Sequence, residues 1–178
     1  MEEPLKRNMV ELNRLSLQDF KSADKLPVII VLDNVRSMHN VGSIFRTADA
    51  FLVQKIILCG ITARPPHREI TKTALGATES LEWSYSETTI ESITKLRNEG
   101  YRIMAIEQVK DSLMLDKCSF EKNQRIAFVF GNEAFGVEEE VLKSCDGSIE
   151  IPQFGTKHSF NITISAGIVL WHYFTNRK

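Results

Sequence analysis

The chain has 178 residues, a length that suits one domain with a substantial buried core. Its 43% hydrophobic and 25% charged residues are ordinary for a globular protein, and a net charge of -1 excludes a basic signature of the whole molecule. A nucleic-acid partner would therefore need a local basic patch, or a second subunit that completes one. The cysteines are too few and too far apart for a disulfide framework or a zinc site, so we predict free thiols in the interior at Cys59, Cys118 and Cys145.

The N-terminal stretch, residues 1–26, is predicted to form a short amphipathic helix followed by a linker. Its apolar residues recur at roughly helical spacing, at Met9, Leu12, Leu15 and Phe20. The stretch lacks the apolar region of a secretory signal, and no uncharged apolar run in the chain is long enough to cross a bilayer. We therefore expect a cytoplasmic protein with no membrane segment, and a single domain over residues 27–178.

From residue 27 onward, strand and helix patterns alternate. The continuous β-branched run Val28–Leu32 is typical of a strand that is buried on both faces. Further strands are predicted at Lys55–Gly60, Leu81–Tyr85, Tyr101–Glu107, Ile126–Phe130 and Ser148–Pro152. Helices are predicted at Val41–Leu52, Thr71–Gly76, Thr88–Asn98 and Ser159–Thr175. This alternation predicts an α/β fold with a parallel sheet flanked by helices.

The first candidate site follows the first predicted strand. Gly42 and Arg46 are four residues apart on a predicted helix, so they share one face. A glycine there would leave room for a substrate backbone, and Arg46 could clamp a phosphate through two hydrogen bonds. The alternative is a solvated helix arginine, with Asn40 as a helix cap. Taken alone, this segment favours the alternative.

The second candidate site is the loop Gly131–Gly136, which follows another strand. Gly131 would allow a ligand to approach the main chain, and Glu133 could accept hydrogen bonds or order the site. The acidic residues after the loop complement the dipole of the next helix. The glycine spacing fits neither a dinucleotide fingerprint nor a Walker loop, so it supports a phosphate cradle only weakly.

The third candidate site opens the C-terminal helix. Ser159 is the predicted N-cap, and Asn161, Ser165 and His172 fall near one line on that helix. The rest of the helix is apolar almost all round and needs cover from more than one side, which predicts a subunit interface, with His172 at that interface or at the surface. No histidine has a partner at metal-ligand spacing, and hydrolase motifs are missing, so we expect neither a metal site nor hydrolysis.

Together the three segments resemble the SpoU/TrmH-type RNA 2′-O-ribose methyltransferases of the SPOUT class. Asn40–Phe51 is similar to the family's first motif, Asn-x-Gly-x-x-x-Arg followed by Thr-Ala. Gly131–Val137 is similar to the second, Gly-x-Glu-x-x-Gly, and Ile151–Trp171 to the third, Ile-Pro followed by Ser-Leu-Asn and an apolar helix. Phe160 stands where leucine is usual. The order and spacing of the motifs match over about residues 27–175.

The resemblance implies a SpoU-type methyltransferase domain over 27–178, with a parallel sheet and a C-terminal trefoil knot. It also implies a homodimer that uses S-adenosylmethionine to methylate tRNA or rRNA, with the active site near the subunit boundary. The knot would hold the cofactor largely by main chain, at Ile106, Gly131, Ile151, Ser159 and Phe160. Arg46 would position a phosphate and stabilise the developing alkoxide. The ribose, Arg46 and the cofactor would be oriented by Asn40, Glu133, Ser159 and Asn161.

Basic residues near the ends of the first two strands are the candidates for RNA contact. They are Arg36, His39, Arg46, Arg64, His67, Arg68 and Lys72. Two copies of this set in a dimer could form a groove, although a solvated loop explains Arg64 and Arg68 equally well. Two other functions stay open. One is a non-catalytic RNA-binding dimer of the same fold, and the other is an unrelated α/β enzyme that acts on a small nucleotide.

Overall fold

The computed structural model describes residues 5–8 and 11–178, which contain a sheet of seven parallel strands. The strands are β1 (Leu26–Asp33), β2 (Val53–Cys59), β3 (Glu82–Ser86), β4 (Arg102–Ile106), β5 (Leu113–Met114), β6 (Ile126–Phe130) and β7 (Gly147–Glu150). The helices are α1 (Leu17–Ser22), α2 (Met38–Ala50), α3 (Arg68–Ala74), α4 (Ala77–Ser80), α5 (Thr89–Asn98), α6 (Glu139–Ser144) and α7 (Ile162–Asn176), with a short 3₁₀ turn at Leu115–Lys117. The predicted parallel sheet flanked by helices is confirmed.

Strand β1 lies near the middle of the sheet, between β2 and β6. Its side chains alternate between two apolar cores, with Val28, Ile30 and Leu32 in one and Ile29 and Val31 in the other. Helices α2, α3 and α7 cover the first core, and α5 and α6 cover the second. Full burial of one such side chain contributes about 1.5–3 kcal/mol, so the doubly covered strand anchors the domain.

The strand order β3-β2-β1-β6-β4-β7-β5 determines which loops can meet. Because neighbouring strands run parallel, the loops after β1, β6, β4 and β7 leave the sheet at the same edge, side by side. The carboxyl edge of an open parallel sheet is where such folds bind ligands. Candidate residues that are far apart in sequence therefore come together there.

The N-terminal helix lies later in the chain than its predicted position. Met9, which the spacing placed in that helix, lies outside the described residues. Residues 11–13 form a turn, and α1 begins only after Ser16, whose hydroxyl oxygen accepts a hydrogen bond from the Asp19 N–H at 3.1 Å. Of the predicted apolar set, Phe20 is buried whereas Leu12 and Leu15 are exposed. A capping serine, rather than apolar spacing, determines where this helix starts.

The C-terminal end of the chain is held by the loop that follows β5. The Lys178 N–H donates to the Phe120 carbonyl at 3.0 Å, and the Lys122 N–H donates to the Lys178 carbonyl at 2.7 Å. Tyr173 of α7 is buried against the rings of Phe120 and Phe128. Helix α7 also packs on α2. No helix within the described ranges is long and apolar enough to cross a membrane.

Candidate active site

A cavity of about 530 Å³ opens at the carboxyl ends of β4, β6 and β7. Apolar side chains, amide and hydroxyl side chains and loop backbone line it, together with Glu107 and Glu133. Residues from the second and third candidate sites share this cavity, and the structure places the following predicted residues in its wall: Ile106, Gly131, Glu133, Ile151, Ser159, Phe160 and Asn161.

The loop Gly131–Gly136 is a closed turn that forms one wall of the cavity. Asn132 and Gly136 each donate a backbone N–H to the carbonyl of the other at 2.8 Å. A Cβ atom at Gly131 would lie 2.1 Å from both the Gly136 carbonyl carbon and the Val137 nitrogen. Glycine at position 131 is therefore required by the packing of the loop on itself, before any ligand is considered.

Glu133 connects this loop to the start of α2. Its Oε2 accepts the Arg36 N–H at 3.0 Å, and its Oε1 accepts the Ser37 N–H at 3.0 Å and the Asn40 side-chain amide at 2.9 Å. Partial burial works to raise the pKa of Glu133, but the hydrogen bonds from Arg36, Asn40 and Ser37 outweigh it and lower the pKa below its usual value of 4.5. The carboxylate is therefore ionised at neutral pH.

Asn161 extends this network to the third segment. Its Nδ2 donates to Asn40 Oδ1 at 3.2 Å, and its Oδ1 accepts the Thr163 N–H at 2.9 Å. Asn161 is thus the N-cap of α7, and the prediction that Ser159 caps this helix is wrong. Ser159 is instead exposed in the preceding segment, at the cavity. Similarly, Ser37 caps α2, so the alternative role of Asn40 as a cap is also wrong.

The spacing of Gly42 from Arg46 suggested room for a substrate on this face of α2, but the structure leaves no such room. Gly42 is buried where α2 crosses α3, and a Cβ atom there would lie 2.3 Å from the Ile70 carbonyl oxygen and 2.1 Å from Thr73 Oγ1. The expected room for a substrate is filled by α3. Arg46 itself is exposed, does not line the cavity, and forms no hydrogen bond or ion pair with the part of the chain that the structure describes.

Two polar residues that the sequence reasoning did not single out hold the loops around the cavity. Glu107, just after β4, accepts the Val137 N–H at 3.0 Å and the Gln108 N–H at 2.9 Å. Asn34, just after β1, accepts a hydrogen bond from Asn132 Nδ2 on its carbonyl at 2.7 Å and donates its own amide to Glu138 Oε1 at 2.7 Å. Their position directly after buried strands was the available signal.

Comparison with known proteins identifies the family. The model of the SpoU rRNA Methylase family matches residues 27–171, most of the chain. The chain belongs to this family. A 23S rRNA (guanosine-2′-O-)-methyltransferase, RlmB, of Neisseria meningitidis is 30% identical over 159 residues, which cover 89% of this chain and 62% of that protein. The chain therefore spans less than two thirds of that relative's length.

Solved structures agree on the fold. An AdoMet-bound rRNA methyltransferase from Sinorhizobium meliloti superposes with a TM-score of 0.77 at 27% identity, covering 86% of this chain and 58% of that chain. The TrmH/SpoU tRNA modifying enzyme of A. aeolicus gives 0.76 at 24% identity, covering 88% of this chain and 79% of that one. The resemblance seen in the three motifs is thus confirmed at the level of the family.

The basic residues of this SpoU family member lie on α2 and α3 and in the loops before them, and several contact other parts of the chain. His39 Nε2 lies 2.9 Å from Glu69 Oε2, and His67 caps α3 through its ring nitrogen. The Arg64 guanidinium stacks on the Tyr85 ring, 4.1 Å from its centroid. The remaining basic candidates are exposed, in the loop before α2 and along α3, at Arg36, Arg68 and Lys72.

Helix α7 leaves exposed apolar side chains next to the partly buried Phe51, and we call this surface the α7 patch: Phe51, Ile164, Trp171 and Phe174. Trp171 is 59% exposed and Ile164 53% exposed, and the ring centroids of Trp171 and Phe174 lie 6.3 Å apart. His172 does not belong to this patch. His172 is partly buried: its Nε2 lies 2.9 Å from the Cys118 carbonyl oxygen and its ring packs on Phe120.

The cysteines are unpaired, as predicted, with Cys59 buried and the other two partly buried. Burial raises the pKa of each thiol, that of Cys145 to about 11, so little thiolate is present at neutral pH. Among the residues that the structure describes, no group of histidine, cysteine and acidic side chains could hold a metal ion.

Proposed function

We propose that the protein is an S-adenosylmethionine-dependent RNA methyltransferase that modifies a ribose 2′-hydroxyl of tRNA or rRNA. Family membership supports this proposal, as do the activities named for the relatives. The observation that carries it is the hydrogen-bonded series Asn161–Asn40–Glu133, which joins the three motif segments at one cavity.

The cavity suits the proposed cofactor in size and chemistry. A volume of about 530 Å³ falls in the range of small-molecule sites, roughly 300–1,000 Å³. When bound, S-adenosylmethionine supplies a methyl group on a positively charged sulfur. The carboxylates of Glu107 and Glu133 make the cavity electrostatically favourable for a cation. The residues proposed to hold the cofactor are Ile106, Gly131, Ile151, Ser159 and Phe160.

The proposed role of Glu133 is to position the site rather than to accept the proton of the hydroxyl. Its low pKa makes it a weak base, and hydrogen bonds from Arg36, Ser37 and Asn40 already occupy its oxygens. Asn40 and Asn161 hold each other in place, and Asn161 is itself fixed as a helix cap. This network would keep the ribose in line for transfer, which supplies much of the rate of such reactions.

The α7 patch supports a homodimer, and its closeness to the helix of Arg46 supports an active site near the subunit boundary. The α7 patch leaves large aromatic and aliphatic side chains in water, which is typical of an interface. Phe51 of the patch directly follows the helix that carries Arg46. We propose that Arg46, at this boundary, positions an RNA phosphate and stabilises the alkoxide that develops on the ribose 2′-oxygen. Further RNA contacts are assigned to Arg36, His39, Arg64, Arg68 and Lys72.

A trefoil knot formed by the C-terminal segment is part of the same proposal. Gln108 Nε2 donates to the His158 carbonyl at 2.8 Å, so the segment after β7 lies against the loop after β4. The end of the chain is bonded to residues 120–122 of the loop before β6. A cytoplasmic location also belongs to the proposal, since the relatives are named for ribosomal and transfer RNA.

The proposal is tested by transfer of tritiated methyl groups from S-adenosylmethionine to total tRNA and rRNA, together with calorimetry of S-adenosylhomocysteine. We expect incorporation into one RNA class and measurable binding. Cofactor and RNA binding without incorporation into any RNA would support the non-catalytic dimer. No affinity for S-adenosylhomocysteine would instead favour an enzyme of small nucleotides.

A further inference from the structure

An aromatic side chain stands uncovered at the wall of the cavity. Phe135 lines the cavity, yet 86% of its surface is exposed to water. It belongs to the loop that carries Glu133, and its ring packs in neither apolar core. An exposed aromatic ring in the wall of a polar cavity offers a stacking surface to a ligand.

The backbone under this ring is fixed. Asn132 Oδ1 accepts the N–H groups of Ala134 at 2.9 Å and Phe135 at 3.3 Å, and the flanking Gly136 is bonded to Asn132 through both backbone groups. The next residue, Val137, donates its N–H to Glu107. An aromatic ring on so constrained a turn loses little conformational entropy when a ligand stacks on it.

The position of Phe135 indicates which ligand it meets. The ring shares the cavity wall with Glu133 and Asn161, and its 86% exposure leaves it open to a ligand that reaches this wall from solvent. An RNA whose ribose is oriented by Asn40 and Asn161 would reach this wall, where Phe135 offers an exposed ring. Nucleobases stack on such rings whatever their identity, provided they are unstacked from their neighbours.

We propose that Phe135 stacks on the base of the nucleotide whose ribose is modified, so the substrate is an unpaired or extruded nucleotide rather than one inside a duplex. This inference rests on the proposed function. It gives Phe135 a positioning role through the base, separate from cofactor binding.

Kinetics on an RNA that the wild type methylates, using Phe135→Ala, Phe135→Trp and Phe135→Leu, test the proposal. We expect a loss of about tenfold or more in kcat/KM for RNA with alanine, little recovery with leucine, and near wild-type values with tryptophan. The affinity for S-adenosylhomocysteine, measured by calorimetry, should stay within about twofold of the wild type for each variant. Phe154→Ala is the matched control, because Phe154 is 96% exposed but lies outside the cavity wall.

Several results would overturn the inference: full activity of Phe135→Ala, equal rescue by leucine and tryptophan, a weakened affinity for S-adenosylhomocysteine, or equal methylation when a complementary strand pairs with the target nucleotide. If the wild type methylates no RNA, the proposed function has failed, and fluorescence anisotropy with a single-stranded oligonucleotide decides the stacking proposal on its own. Weaker binding by Phe135→Ala than by Phe154→Ala would then support it, and equal binding would overturn it.

Discussion

Replacing Gly42 with alanine should destabilise the protein, although alanine is the better helix former. In an open helix the exchange would gain about 1 kcal/mol. Here the added Cβ would lie 2.1 Å from Thr73 Oγ1 and 2.3 Å from the Ile70 carbonyl oxygen. The threonine hydroxyl can rotate away, but the carbonyl belongs to the backbone of α3, so the two helices must separate. Overpacking of this kind costs about 1–3 kcal/mol, and the backbone contact places the cost at the upper end.

We therefore expect Gly42→Ala to lower the free energy of unfolding by about 1–2 kcal/mol, the clash less the gain in helix propensity. The matched control is Gly167→Ala in α7, where the nearest atom to the added Cβ, Thr47 Cγ2, is 4.0 Å away. That variant should be unchanged or more stable by about 0.5–1 kcal/mol. Urea denaturation followed by circular dichroism measures both. If Gly42→Ala were as stable as Gly167→Ala but inactive, the glycine would serve substrate access after all, and the helix-packing account would be refuted.

Further predictions concern the site and the interface. Arg46→Ala should abolish most methylation while the affinity for S-adenosylhomocysteine stays near that of the wild type. The control is Arg102→Ala, at the amino end of β4. Survival of activity in Arg46→Ala would remove Arg46 from the mechanism. For Glu133, hydrogen bonds lower the folded-state pKa below 4.5, so the unfolded chain takes up the proton first as the pH falls. The stability advantage of the wild type over Glu133→Gln should thus be complete above pH 4.5 and disappear as the pH falls through the folded-state pKa. If urea titrations showed the same advantage at every pH, the ionised carboxylate would not be its source. Trp171→Glu should convert a sedimenting dimer into monomers, and unchanged sedimentation would exclude the α7 patch as the interface.

The strand pattern was predictable because burial on both faces leaves a clear mark in sequence. The run Val28–Leu32 is apolar at every position, and the structure places it between two cores. The two-residue strand β5 was not predicted, because so short a segment has no periodicity to detect.

Helix ends and single glycines were harder to interpret, since their roles depend on partners far along the chain. Ser159 and Asn161 are both good capping residues, and only the path of the backbone decides that Asn161 caps α7. In sequence Gly42 lies one helical turn before Arg46, but the residue that requires a glycine at position 42 is Ile70 of another helix. His172 is likewise explained by a contact with Cys118 that no spacing rule reveals.

The candidate site was predictable in part, because residues after parallel strands meet at one edge of the sheet. That rule correctly brings the loop with Glu133 and the start of α2, which carries Asn40, together. It could equally have drawn attention to Glu107 and Asn34, which follow β4 and β1 directly, but they belong to none of the three motif segments. The knot that the resemblance implies could not be predicted from periodicity, which carries no information about how one loop passes another.

The position of the transferred methyl group tests the central claim most directly. RNA labelled by the purified protein and tritiated S-adenosylmethionine would be hydrolysed in alkali, which cleaves each linkage next to a free ribose 2′-hydroxyl. The account predicts that the label appears in alkali-resistant dinucleotides, and that nuclease digestion with mass spectrometry identifies a 2′-O-methylnucleoside. Label recovered in single nucleotides that carry a methylated base would contradict it.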